Sequence, residues 1–251
     1  MGKRILYKYL DAEGGKKMLG NHNLQFTNAT QLNDPFDCHP ALIDFSNVPS
    51  EKAKVLPKDV IEVIESSRYK NYRKDTWLCS LSKVDDAFLM WSYYTNHKGV
   101  CIGIDIDKAH AYLKNLSMIY VDCLEVEVQY RDIVEKPNGF NGLDDFFQYQ
   151  IETKSKDWQH EQEVRLCIYM PHPWIMKPLP QQENKGPIPW EEVRAFREIG
   201  CECFVSLGLG ANMPEEDKEQ IIKLAKKINP AIEIYQMKVD TNVFRLTKEN
   251  F

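Results

Sequence analysis

The chain has 251 residues, of which 43% are hydrophobic and 27% charged, and a formal net charge of −5. That length and balance suit a soluble globular chain with a sizeable core, expected as a single domain over 1–251, and exclude a disordered or fibrous one. The acidic balance excludes a global field that recruits nucleic acid and leaves only local patches.

No apolar run approaches membrane-spanning length, and the start MGKRILYKYL has no apolar core followed by a cleavage site. A cytoplasmic protein with no membrane partner is therefore expected. The seven cysteines are scattered, and Cys79, Cys101, Cys123 and Cys167 fall in apolar runs, the pattern of reduced, buried thiols. Cys201 and Cys203 form the only close pair, so no zinc site is expected.

In chain order, Ile5–Leu10 reads as a strand with Tyr7 and Tyr9 on one face and Leu6, Lys8 and Leu10 on the other. A short helix over Glu13–Leu19 ends at Gly20, and Leu24–Thr27 is a second strand. The polar loop that follows carries Asn33-Asp34-Pro35-Phe36-Asp37, in which Asn33 and Asp34 are natural turn-makers. A helix from about Lys58 to Arg68 leads into the basic-aromatic run Arg68–Lys74, read as a solvated helix end.

Thr76–Ser82 is a strand with Leu78, Ser80 and Ser82 on one face. Ser82 and Asp85 are spaced as a capping box for a helix over Asp86–Tyr94, with Gly99 in the C-terminal cap role. Val100–Asp105 is a strand whose central Gly103 implies close approach by a ligand or another backbone. Further on, Leu124–Tyr130 reads as a strand, about Leu143 to Lys154 as a helix, and Pro171–Pro189 as a surface flap. Phe204–Leu207, a turn at Gly208–Gly210, a helix over Pro214–Ile228 and strands over Ile232–Met237 and Val243–Leu246 complete the chain. Short strands with irregularly interspersed helices predict an α+β fold. No dinucleotide fingerprint and no Walker loop are present.

The most informative stretch is Trp158–Met170. From Glu163 on it alternates as a strand, with Val164, Leu166 and Ile168 facing the core and Glu163, Arg165 and Cys167 the other side. The same register carried backward adds Glu161 to the polar row, with successive members roughly 7 Å apart at the usual strand rise. The plain reading is a structural Glu–Arg pair on an edge strand. The functional reading is a row of acids on a rigid base, fit for electrostatic work.

The pieces LYKY, NDPFD, CSLS, LMWSYYTNHKGVCIGID and WQHEQEVRL together resemble the bacterial domain-of-unknown-function family 2971, some of whose relatives carry abortive-infection (phage-defence) labels. A more distant resemblance, resting on a leading aromatic and basic strand, a serine strand and a late E-x-E strand, is to ADP-ribosyltransferases of the DNA-targeting toxin type. It implies a split β-sheet core with interspersed helices. It also implies cleavage of NAD, as substrate, and transfer of ADP-ribose to a protein or nucleic-acid acceptor, with an antitoxin or defence-system partner.

Carried over, Glu163 is the catalytic carboxylate and Glu161 the accessory one. Lys8 or Tyr9 contacts the NAD phosphates or ribose, with Tyr7 beside them. Ser80 and Ser82 take the serine-strand position, Trp91 or Tyr94 packs on nicotinamide, and Arg165 keeps Glu163 ionised. Asn33, Asp34, Phe36 and Asp37 join the same cleft, because scattered polar loops make joint sense around a common ligand. No metal is required. Two alternatives stay open: a magnesium nuclease gathering Asp34, Asp37, Glu161 and Glu163, and a non-catalytic nucleotide-recognition module presenting Trp91, Tyr93 and Tyr94.

Overall fold

The computed structural model describes residues 3–65, 72–114, 123–140, 143–169 and 193–251. They form a mixed α+β fold around a ten-stranded sheet. Strand β1 (Ile5–Leu10) pairs antiparallel with β4 (Val100–Asp105) along its whole length, and β10 (Phe204–Leu209) pairs antiparallel with β4 on its other side. Beyond β10 lie β11 (Glu233–Val239), parallel to it, and β12 (Leu246–Asn250).

The second half of the sheet is built on β3 (Thr76–Ser82). One edge of β3 pairs throughout with β8 (Glu163–Tyr169), which in turn holds β5 (Leu124–Glu127). The other edge is shared. Ser82 pairs with Tyr7 of β1, whereas Leu78 and Trp77 pair with Thr27 and Asn28 of β2 (Asn23–Asn28). Between those contacts, over Cys79–Leu81, the ladder is interrupted. The Ser80 carbonyl there accepts a hydrogen bond from Lys8 Nζ at 2.8 Å. A backbone acceptor left without a strand partner needs another donor, and a lysine reaching into the gap supplies it. Strand β9 (Arg194–Glu198) pairs with β2 and ends this half.

Helices cover both faces. On one, α1 (Ala12–Asn21), α6 (Ile106–Lys114) and α8 (Glu215–Ile228) pack on the main core with Trp77, Leu81, Ile102, Val164, Leu166 and Leu207. The α1 helix lies close on the sheet: a Cβ at Gly15 would stand 2.4 Å from Val100 Cγ2. The other face carries two separate apolar clusters. One gathers Tyr9, Met90, Trp91, Tyr235 and Met237 under α5 (Phe88–Thr95), and the other gathers Ala29, Cys38, Leu78, Ile151 and Cys167 beside α7 (Leu143–Glu152). Short helices α2 (Ser50–Val55), α3 (Lys58–Glu65) and α4 (Tyr72–Asp75) and a small parallel pair, β6 (Gln129–Arg131) with β7 (Thr153–Ser155), complete the description.

Several local expectations give way to tertiary contacts. The helix after β3 starts at Phe88, not Asp86, and has no capping box. Ser82 Oγ instead donates to the Glu161 carbonyl, and Asp85 accepts from Tyr235 Oη at 2.8 Å and from Lys248 Nζ. Asn96, left-handed at φ 51°, is the C-cap of α5. Gly99 has another reason to be glycine: a Cβ there would lie 2.1 Å from the Leu10 carbonyl oxygen. At Gly103 it is the side chains of Ser206 and Tyr7 that approach.

Helix α1 runs through Gly20 to a left-handed His22, and α7 stops at Glu152. The Leu124–Tyr130 run breaks into β5 and β6, Gly208 and Leu209 continue β10, and the last strand begins at Leu246, not Val243. Of the basic run, residues 68–71 lie outside the described residues, as does the whole Pro171–Pro189 segment. Among the described residues no helix is long and apolar enough to cross a membrane, and all seven cysteines are free.

Candidate functional site

On the face that carries the two apolar clusters, the β3–β8 register sets Leu78 opposite Cys167, Ser80 opposite Arg165 and Ser82 opposite Glu163. Period-two alternation sends Val164, Leu166 and Ile168 to the main core and leaves Glu163 and Arg165 between the clusters. β8 is an interior strand between β3 and β5, not an edge strand. Glu161 is not part of it. It closes a 3-10 turn over Lys156–Glu161, and Gln162, left-handed at φ 43°, breaks the register before Glu163. The turn nevertheless brings Glu161 beside Glu163, because both carboxylates converge on the same cation.

That cation is Lys154, on the short strand β7. Its ammonium donates to Glu161 Oε2, stands 2.9 Å from Glu163 Oε2 and 3.8 Å from Asp37 Oδ2, and lies 5.2 Å from the centre of the Trp158 ring. Arg165 closes the network. Its Nε meets Glu163 Oε1 at 2.9 Å and its Nη2 meets Glu163 Oε2 at 3.0 Å. The two terminal nitrogens also grip Asp37 in bidentate fashion at 2.8 and 2.6 Å, and Nη1 reaches the Ile151 carbonyl at 2.8 Å. All five guanidinium N–H groups are thus used internally. The Asn-Asp-Pro-Phe-Asp loop is pinned to the strand through its last residue.

These groups are deeply buried: Glu161 is 4% exposed, Glu163 3% and Lys154 6%. Burial would raise the Glu163 carboxyl, but Arg165 and Lys154 together outweigh it and hold Glu163 well below the ordinary carboxylate range. Glu161 goes the other way: burial raises it, Lys154 works against the rise, and anionic Glu163 adds to it. Burial also pulls Lys154 down, yet the two glutamates more than compensate and keep it protonated. Tyr94 of α5 donates its hydroxyl to Glu161 Oε1, and Tyr130 Oη accepts from the Glu163 backbone N–H at 2.8 Å. Two neighbouring carboxyls pushed apart in proton affinity can take different roles, one a fixed anion and the other a proton carrier.

The network forms one wall of a cleft of about 410 Å³ at the interrupted edge of β3. Tyr7, Lys8, Tyr9, Asn33, Asp37, Ser80, Ser82, Tyr94, Glu161 and Glu163 all line it, although they come from both ends of the sequence. The other expected site residues lie elsewhere. Trp91 is fully buried with Nε1 bonded to the Asp85 carbonyl, and Met90 and Tyr94 are the α5 residues that reach the cleft. Asp34 is buried in an Asx turn, accepting from the Phe36 N–H at 2.9 Å, while Phe36 itself is 67% exposed. Arg165 sits behind Glu163. Ser82 Oγ is committed to the Glu161 carbonyl and the Val84 N–H, whereas Ser80 lies half-buried on the wall, where its side chain helps to lower the Glu163 carboxyl.

Lys154, Tyr130, Thr27 and Arg194 escaped the sequence reading. The one signal for Lys154 was its place at the end of the helix expected over about Leu143 to Lys154, where a lysine usually marks a solvated helix end. For a divalent metal the arrangement is poorly suited. Lys154 and Arg165 occupy the spaces among Asp37, Glu161 and Glu163, and among the described residues no group of His, Cys, Asp or Glu side chains has metal-holding geometry.

Residues 90–166, from Met90 at the cleft to Leu166 within β8, match the model of the family described as Protein of unknown function (DUF2971), a span that takes in the Met90 and Trp158 motifs but not LYKY, NDPFD or CSLS. No curated protein and no solved structure matches the chain.

Proposed function

We propose that this chain, a member of DUF2971 by residues 90–166, binds a nicotinamide dinucleotide in the cleft beside β3 and breaks its nicotinamide–ribose bond, passing ADP-ribose to an acceptor as an ADP-ribosyltransferase does. The observation that carries this reading is the meeting of the Tyr7–Tyr9 strand, Ser80, Tyr94, Glu161 and Glu163 around one cleft at the gap between two halves of a sheet. A gap of that kind also agrees with the split core expected of such a fold.

The residues suit the ligand. Tyr7, Tyr9, Met90 and Tyr94 offer apolar and aromatic wall to a planar ring. Lys8 Nζ bonds the Ser80 carbonyl and has further N–H donors for a phosphate. Bond breaking sends the electron pair to the departing nicotinamide and leaves an oxocarbenium-like ribose. A carboxylate kept anionic in a water-poor wall is the group that stabilises that cation, and Glu163 is such a carboxylate. The acceptor's nucleophile then bonds to the ribose carbon, and its proton goes to Glu161 in its ionised form, the carboxylate whose proton affinity burial raises.

The test is incubation with NAD and a cell lysate, with and without excess EDTA, following nicotinamide release and nucleic-acid integrity together. Chelator-resistant nicotinamide release is expected. Intact NAD in every condition, with chelator-sensitive nucleic-acid cutting, overturns the proposal. A toxin or phage-defence role would follow from transfer to an essential macromolecule and would register as growth arrest on expression.

A further inference from the structure

We infer that Lys154 is a positioning residue: its buried ammonium, bridging Glu161 and Glu163, sets how tightly Glu161 holds the transferable proton. The assignment of the proton stands whatever the cleft cleaves, and only its catalytic consequence rests on the NAD reading above.

The charges are shared unequally. Arg165 spends every donor on Asp37, Glu163 and the Ile151 carbonyl, so none is left for Glu161. Among the described residues the cation paired with Glu161 is Lys154, through Oε2, while Oε1 takes the Tyr94 hydroxyl. Glu163 holds two cations, Arg165 and Lys154. The groups facing Glu161 are therefore Tyr94 from α5, Lys154 from β7, Glu163 from β8 and, more distantly, Tyr130 from β6, with Asp37 behind Lys154.

Remove the ammonium and this balance fails unequally. Glu163 keeps its bidentate guanidinium and stays charged. Glu161 is left with a phenol donor and a neighbouring anion in a buried setting, where two carboxylates cannot both ionise without a cation between them. It would then bind its proton more tightly and give it up only at higher pH. Full-length protein in which Lys154 is neutral should thus hold the same cleft with a proton locked on Glu161. A tie that acted only through Glu163 and Asp37 would move stability and leave the titration of Glu161 where it was.

The experiment titrates Glu161 directly, by carbon-13 NMR of its side-chain carboxyl, assigned through the signal lost in Glu161→Gln. It compares wild type with Lys154→Met, which keeps chain length without charge, with Lys154→Gln, which also keeps donors, and with Lys154→Arg. The neutral variants should raise the Glu161 midpoint by about one pH unit or more, a tenfold gain in proton affinity. Lys154→Arg should restore much of the difference. Where NAD cleavage is measurable, the acidic limb of the kcat profile should move by the same amount with a smaller change in KM. An unchanged midpoint in a folded neutral variant overturns the inference, and so does failure of both neutral variants to fold, which would make Lys154 a tie. Absence of NAD cleavage in wild type would refute the proposed reaction while leaving the titration a complete test of Lys154.

Discussion

Asp37→Asn tests whether the loop motif is an anchor. Asp37 is buried and meets Arg165 through both oxygens, at 2.8 and 2.6 Å. Asparagine keeps the shape but turns one acceptor into a donor facing a guanidinium and removes the charge. Removing one partner of a buried ion pair costs about 3–5 kcal/mol. The cluster can soften this loss. Asp37, Glu161 and Glu163 share Lys154 and Arg165, and after the substitution Glu161 and Glu163 still face both cations. That remaining compensation brings the expected cost to the lower end, about 3 kcal/mol near neutral pH. For a chain of this length that is a fall in melting temperature of about 6–12 °C.

The loss should grow as pH drops, because Glu161, its proton affinity raised by burial, then protonates and no longer faces the cations as an anion. Thermal and urea unfolding of Asp37→Asn at several pH values reads both effects. Combining Asp37→Leu with Arg165→Met should cost less than the sum of the single changes, since an apolar pair avoids the buried charge. A melting temperature within about 2 °C of wild type would refute the anchor reasoning.

Glu163→Gln should lower the nicotinamide-release rate by roughly a hundred- to a thousand-fold. Because Glu163 is held by both Arg165 and Lys154, it should also melt earlier than wild type, so turnover must be compared below the variant's own transition. The two glutamates give stability opposite pH dependences. Glu163, depressed in the fold, stabilises above its unfolded value of about 4.5 and loses that contribution as pH falls toward its folded pKa. Glu161, raised in the fold, contributes stability below about 4.5 that is lost as pH rises through its folded pKa, so Glu161→Gln should flatten the decline on the alkaline side in urea unfolding. Gly99→Ala should destabilise by about 1–3 kcal/mol or prevent folding, since its Cβ meets the Leu10 carbonyl oxygen, while Gly20→Ala, open on all sides, should be neutral or slightly stabilising in the same melts.

Much of the fold was legible because it follows from short-range periodicity. The alternation in Ile5–Leu10, Thr76–Ser82 and Val164–Ile168 already separated core faces from the face that bears Ser80, Glu163 and Arg165, since side chains on a strand must point to opposite sides. Proline and asparagine bounded the last helix, and the α+β class followed from the order of elements. The caps were less legible. Ser82 and Asp85 have the spacing of a capping box, but in the folded chain they find partners 79 and 150 residues away.

The residues at the cleft were legible one by one, and their relations were not. Period two extended back to Glu161 predicted a straight row of acids. Its neighbourhood with Glu163 instead depends on a left-handed turn at Gln162 and on a lysine from another strand. Asp37 and Arg165 stand 128 positions apart, and no local pattern announces that one neutralises the other. The sequence by itself therefore determined which side chains are polar, which face each strand would bury and which motifs the chain carries. Only the tertiary structure decided which carboxyl is pressed toward its anion and which is pushed toward its proton. A pKa depends on burial and on charges a few ångströms away, and in this fold those charges arrive from distant parts of the chain.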